Sequence, residues 1–128
     1  MSKARFIHRL IDSFKNNHNK IAVIDQNGTR QTTYGDFYTT ALRVAAYLQA
    51  RRLSPHSFIP VCLPTGMDYM ASEIGIWLSG HAAVPVSNLF PQERIDYITA
   101  HCEASLVIDE AVMKEMMATP PTDTLIIP

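Results

Sequence analysis

Residues 58–86 read FIPVCLPTGMDYMASEIGIWLSGHAAVPV, and this stretch decides the fold. Phe58 to Leu63 is a nearly unbroken apolar run, the pattern of a strand buried on both faces. Met70, Ile74, Trp77 and Leu78 then fall at i, i+4, i+7 and i+8, one face of an amphipathic helix that Gly80 closes. Ala82 to Val86 is apolar again and reads as a second strand. Strand, helix and strand at this spacing make a βαβ crossover, because parallel strands need a long connection. Pro60 is the irregular residue. Proline donates nothing to a ladder, so a bulge or an edge position is expected there.

The alternation continues downstream. Pro91 is expected in the first turn of a helix, where its missing N–H costs nothing, with Ile95, Ile98 and Cys102 facing one way. Leu106-Val107-Ile108 reads as a third parallel strand, Ala111 to Ala118 as a helix, and Leu125-Ile126-Ile127 as the start of another strand. Residues 119–124, with Pro120-Pro121-Thr122-Asp123, are the one linker-like stretch.

Upstream, Phe6, Ile7, Leu10, Ile11 and Phe14 form a helical stripe between Arg5 and His18. Ile21 to Ile24 and Arg30 to Thr33 are β-prone and flank Asn27-Gly28, which signals a hairpin with a type I′ turn. Phe37, Ala41, Val44 and Leu48 then lie on one helical face, with Thr33 or Asp36 as its cap, and the helix ends near Leu53-Ser54-Pro55. Residues 1–128 thus form a single α/β segment: a parallel β-sheet with flanking helices and an N-terminal β-hairpin.

Composition narrows the partners. The 128 residues are 47% hydrophobic and 18% charged, with a formal net charge of −1, so the basic surplus that displaces counterions from nucleic acid or anionic membrane is missing. Arg51-Arg52 stands at a helix end, where it complements the dipole. No apolar run is long enough to span a membrane, and His8, Arg9 and Asp12 interrupt any signal-peptide core, so a cytoplasmic protein is expected. Cys62 and Cys102 are too few and too far apart for a disulfide scaffold.

The search for chemistry returns mostly structural readings. His8, His18, His56, His81 and His101 show no metal-ligand spacing, and no C-x-x-C occurs. Gly75 and Gly80 are spaced like a phosphate loop, but His81-Ala82 stands where Lys and Ser or Thr are needed. His101 beside Cys102 points about 100° away on a helix, which disfavours a nucleophile pair. Asp109-Glu110 lies at the carboxyl end of a strand, where open sheets bind ligands; a cap for the following helix is the favoured alternative. Met113, Met116 and Met117 read as adaptable core filling.

Thr32-Thr33-Tyr34-Gly35-Asp36-Phe37, and Trp77-Leu78-Ser79-Gly80-His81-Ala82-Ala83-Val84-Pro85-Val86 followed by Pro91-Gln92-Glu93-Arg94, together resemble the first two core motifs of the adenylate-forming superfamily. That group includes acyl-CoA synthetases, aryl acid ligases and adenylation domains of nonribosomal peptide synthetases. The resemblance runs from about residue 6 to about residue 115, on the order and spacing of its segments. Phe37 replaces a usual leucine, Asp36 a glutamate, Leu78 a lysine and His81 a small residue. Ser87-Asn88 stands where peptide-synthetase members often carry Asp-Pro.

The resemblance implies the N-terminal subdomain of an adenylate-forming ligase. Such an enzyme activates a carboxylic acid with ATP and magnesium as acyl-AMP, then transfers it to coenzyme A or a carrier-protein phosphopantetheine. The family's phosphate loop, adenine segment, hinge aspartate and catalytic lysine are expected beyond residue 128. No catalytic, cofactor-binding or metal-ligating residue is therefore carried onto this chain, and the chain alone is expected to be inactive. Its implied partner is the remainder of the ligase. The alternative is a non-catalytic interaction or assembly module with the same fold. Self-association through the apolar Leu125-Ile126-Ile127 segment is also expected.

Overall fold

A computed structural model describes residues 3–118. In chain order the elements are α1 (Lys3–Asn16), β1 (Ile21–Ile24), β2 (Gln31–Thr33), α2 (Tyr34–Ala50), β3 (Phe58–Val61), α3 (Met67–Leu78), β4 (Ala82–Pro85), α4 (Gln92–His101) and α5 (Glu110–Ala118). β1 and β2 pair antiparallel, and β3 and β4 pair parallel in the register Phe58↔Ala82 to Val61↔Pro85. The linker-like 119–124 and the Leu125-Ile126-Ile127 strand lie outside the described residues.

Four expectations change in detail. The hairpin forms, but its turn is not type I′. Gly28 has φ +69° while Asn27 is not among the positive-φ residues, and the Gly28 N–H donates to the Asp25 carbonyl at 2.9 Å. The turn is therefore centred on Gln26 and Asn27, with Gly28 as the left-handed residue after it. The Asp25 carboxylate supports it, accepting from the Thr29 N–H at 2.8 Å and the Thr29 hydroxyl at 2.9 Å. Bonds of this kind favour the charged form and hold the Asp25 carboxyl below its ordinary value, with the Arg30 N–H the largest cause.

Pro60 lies in β3 with its nitrogen on the side away from β4, facing the open edge of the two-stranded sheet, which is the edge position expected of it. Its placement explains why Leu106-Val107-Ile108 contributes one parallel bridge, Val61↔Ile108, instead of a strand. The Ile108 N–H donates to the Pro60 carbonyl at 2.9 Å, and the Cys62 N–H to the Ile108 carbonyl at 2.8 Å. The next bond back would run from the nitrogen of residue 60 to the Leu106 carbonyl, and proline has no hydrogen to give.

Pro91 is the N-cap of α4 rather than a residue of its first turn, with ψ 150° outside the helical range. The face of α3 also differs. Its buried residues are Ala71, Ser72, Gly75, Ile76 and Leu78. Ile74 and Trp77 are half-buried and Met70 is exposed. Small residues win the inner face because α2 runs very close: a Cβ on Gly75 would lie 2.6 Å from Val44 Cβ and 2.7 Å from the Ala41 carbonyl oxygen.

The remaining elements follow the sequence. Thr33 caps α2, its hydroxyl accepting from the Asp36 N–H at 3.1 Å. Gly80 ends α3 with φ +85°. Val44, Leu48, Ile59, Val61, Ile76, Ile108, Met113 and Met116 form the main core between α2, the sheet and α5. Ile7 and Ile11 of α1 cover Ala41 and Ala45, while Phe14 stacks on Phe37 at 5.4 Å and on Tyr38 at 5.5 Å.

Candidate functional site

The carboxyl ends of β3 and β4 and the residues after Ile108 form the edge where parallel sheets accept ligands. The connection Leu63-Pro64-Thr65-Gly66 leaves β3 there and faces Glu110 and Lys114 of α5 across a cleft of about 520 Å3. Arg30 closes it from the hairpin side. Arg30 and Lys114 are balanced by Asp68 and Glu110 in the same lining, so the cleft has no net formal charge. Arg30 and Lys114 belong to no motif that the sequence displays. The readable signal is the Pro-Thr-Gly break at the carboxyl end of an apolar run.

Each sequence candidate now has a place. Asp109 is a cap: its carboxylate accepts from the Val112 N–H at 2.9 Å. Burial, and then the Asp109 charge, push the Cys62 thiol above its ordinary value, which disfavours the reactive thiolate. His101 is exposed and stacks on Tyr97 at 6.0 Å, turned to the outside of α4. The Cys102 pairing is therefore not a catalytic arrangement. Met113 and Met116 are buried core, and Ser72 Oγ lies 3.5 Å from the Met113 sulfur. Arg51 caps the end of α2, bonds the Tyr47 hydroxyl and lies 3.7 Å from Glu115.

One residue gains a role that its motif position does not signal. His81 is buried, and its Nδ1 accepts the Ser57 N–H at 3.1 Å, joining the α3–β4 turn to the start of β3. Among the described residues no three His, Cys, Asp or Glu side chains converge where a metal ion could sit. No described helix is long and apolar enough to cross a membrane.

A profile of the family described as AMP-binding enzyme matches residues 10–127. A linear gramicidin synthase polypeptide of Brevibacillus parabrevis is 30% identical over 92 residues, which cover 72% of this chain and 1% of that protein. CymA of Salinispora arenicola, described as a probable non-canonical nonribosomal peptide synthetase, is 32% identical over 106 residues, covering 83% of this chain and 1% of its own length. The N-terminal subdomain of Klebsiella oxytoca NpsA, solved with 3-hydroxybenzoyl-AMSN, superposes with a TM-score of 0.77 at 15% identity, over 94% of this chain and 34% of that one. The chain thus spans a very small part of the two synthetases and about a third of the NpsA chain. It belongs to the AMP-binding, adenylate-forming enzymes and has the α/β fold of their N-terminal subdomain.

Proposed function

We propose that this chain is the N-terminal framework of a ligase that activates a carboxylic acid with ATP as an acyl-adenylate and passes the acyl group to a thiol, coenzyme A or carrier-protein phosphopantetheine. The family match from residue 10 to residue 127 carries the reading. The motif residues are spent on structure: Thr33 caps α2, Gly80 ends α3, and His81 ties a turn to β3. Activation of a carboxylate with ATP needs phosphate oxygens held by convergent N–H donors and cations. The cleft at the sheet edge balances its own charges instead.

The 128-residue chain by itself is therefore expected to show no ATP–pyrophosphate exchange and no heat of ATP binding in calorimetric titration. Micromolar ATP binding would overturn the framework reading. A second reading, a non-catalytic assembly module, is favoured by α4, which buries no residue and leaves Leu89 87% and Tyr97 69% exposed nearby. Sedimentation at several concentrations separates the two. A monomer throughout removes the self-assembling form of that module.

A further inference from the structure

The register Phe58↔Ala82 of β3 and β4, carried one residue back, sets Ser57 opposite His81. A parallel ladder would there take the Ala82 N–H to the Ser57 carbonyl and the Ser57 N–H to the Gly80 carbonyl. The first bond is present at 3.0 Å. In place of the second, with Gly80 turning out of α3 at φ +85°, the Ser57 N–H donates to His81 Nδ1 at 3.1 Å. An imidazole thus stands in for a backbone carbonyl at the entry to the sheet. The small residue usual at this motif position could not make that bond. We infer that His81 is a pH-sensitive clasp, which holds the amino end of β3 to the α3–β4 turn while its ring is neutral and releases it on protonation.

A backbone N–H can only donate, so Nδ1 carries no proton in the closed form, and the neutral ring keeps its hydrogen on Nε2. Protonation of Nδ1 sets one N–H against another and takes the acceptor from the Ser57 amide. Burial adds to the cost: His81 is 7% exposed, whereas His8, His18, His56 and His101 all face solvent. The segments bonded to His81 are the end of α3, through the Ile76 carbonyl, and the residues leading into β3. Their nearest ionisable side chains along the sequence are Glu73 on α3 and Arg51, Arg52 and His56 ahead of β3. α1, whose Phe6 meets Trp77 at that end of α3, adds Arg5, His8 and Arg9. Cations outnumber carboxylates in this set and disfavour a further positive charge on the ring. The open chain therefore binds a proton that the closed one resists. Stability is complete above the ordinary histidine range and is lost as pH falls through it.

The 128-residue chain and its His81→Asn variant are unfolded in urea at about pH 7.5 and about pH 5.5, either side of the ordinary histidine value of about 6.5. Asparagine brings an acceptor oxygen near the place of Nδ1 and does not titrate in this range. On acidification the unfolding constant is expected to rise by up to about tenfold more in the unaltered chain than in the variant, the most that one histidine contributes over that interval. Equal pH dependence in the two chains overturns the inference. Nuclear magnetic resonance of the unaltered chain decides even if His81→Asn folds poorly. The ring nitrogens of His81 are expected to show a bare Nδ1 at the higher pH, and the Ser57 amide to shift as the ring takes up its proton. A proton on Nδ1 at the higher pH, or a ring that titrates while the Ser57 amide stays unmoved, overturns the clasp.

Discussion

α3 and α4 are both short helices with an apolar stripe, yet α3 buries five residues and α4 buries none. Hydrophobicity of the stripe does not account for the difference. α4 offers Ile95, Ile98 and Cys102, all left half-covered, while the innermost positions of α3 include Ala71, Ser72 and Gly75. Burial on α3 comes from close approach to α2, which small residues permit; among the described residues α4 packs against no element as extensively. Sequence periodicity reports which face is apolar. The partner and its distance decide how much of that face leaves water.

The comparison breaks most visibly at the core that α3 shares with α2. Leu48→Ala removes a side chain with no exposed surface and is expected to cost about 3–4 kcal/mol in urea unfolding. Ile98→Ala on half-covered α4 is expected to cost about 1 kcal/mol or less, by the smaller area it takes from water. Equal losses at the two sites would mean that α4 is packed as firmly as α3.

Gly75→Ala tests the close approach itself. Alanine is the better helix former by about 1 kcal/mol, so an open site would be stabilised. Here the added methyl meets Val44 at 2.6 Å and a backbone carbonyl at 2.7 Å, and overpacking is expected to win, with a net loss of about 1–3 kcal/mol. Val44→Ala in the same chain should recover part of that loss. A melting temperature that rises in Gly75→Ala alone would remove the steric account.

How much of this was legible follows from the same distinction. Thr33 as a cap, Gly80 as a stop and Asn27-Gly28 as a hairpin signal are local chemistry, and all three appear in the fold. The fine geometry of the turn was not legible, because Asp25 selects it through bonds to Thr29 that the Asn-Gly pair does not encode. The loss of the third strand at Leu106 depends on which side of β3 carries the Pro60 nitrogen, and only the sheet order reveals that. At the candidate site, Asp109 was readable as a cap. The cleft beside it was not, since Arg30, Thr65 and Lys114 come from the hairpin, a loop and α5, far apart in sequence.

A smaller effect separates the caps. Thr33→Ala leaves the Asp36 N–H without its hydroxyl and is expected to cost about 1 kcal/mol, because α2 anchors all three clusters of the core. The matching change at Asp109 removes the cap of α5, and a comparable loss there would show that α5 folds with α2 and not as a separate unit. Hydrogen exchange at the α5 amides reads this directly. Protection that falls in Asp109→Ala with no change in α2 would uncouple them.

The smallest effect lies where β3 leaves the packed half of the molecule for its looser edge. Cys62 is held above the ordinary thiol value by burial first and by the Asp109 charge second. The folded chain thus keeps that proton more tightly than the unfolded chain does. The resulting stability is complete below the ordinary thiol range and is lost as pH rises through the folded value. Asp109→Asn separates the two causes, since asparagine caps a helix as well as aspartate does while removing the charge. In a Cys102→Ser background, iodoacetamide should then modify Cys62 faster at mildly alkaline pH than it does with Asp109 present, yet still slowly, because burial remains. An unchanged rate would mean that solvent at the sheet's carboxyl edge screens Asp109 from the thiol, and a slower one would mean that the introduced asparagine rebuilds the edge. In either case the charge at the end of the third segment would not reach the strand beside it, and the two would be coupled through backbone bonds alone.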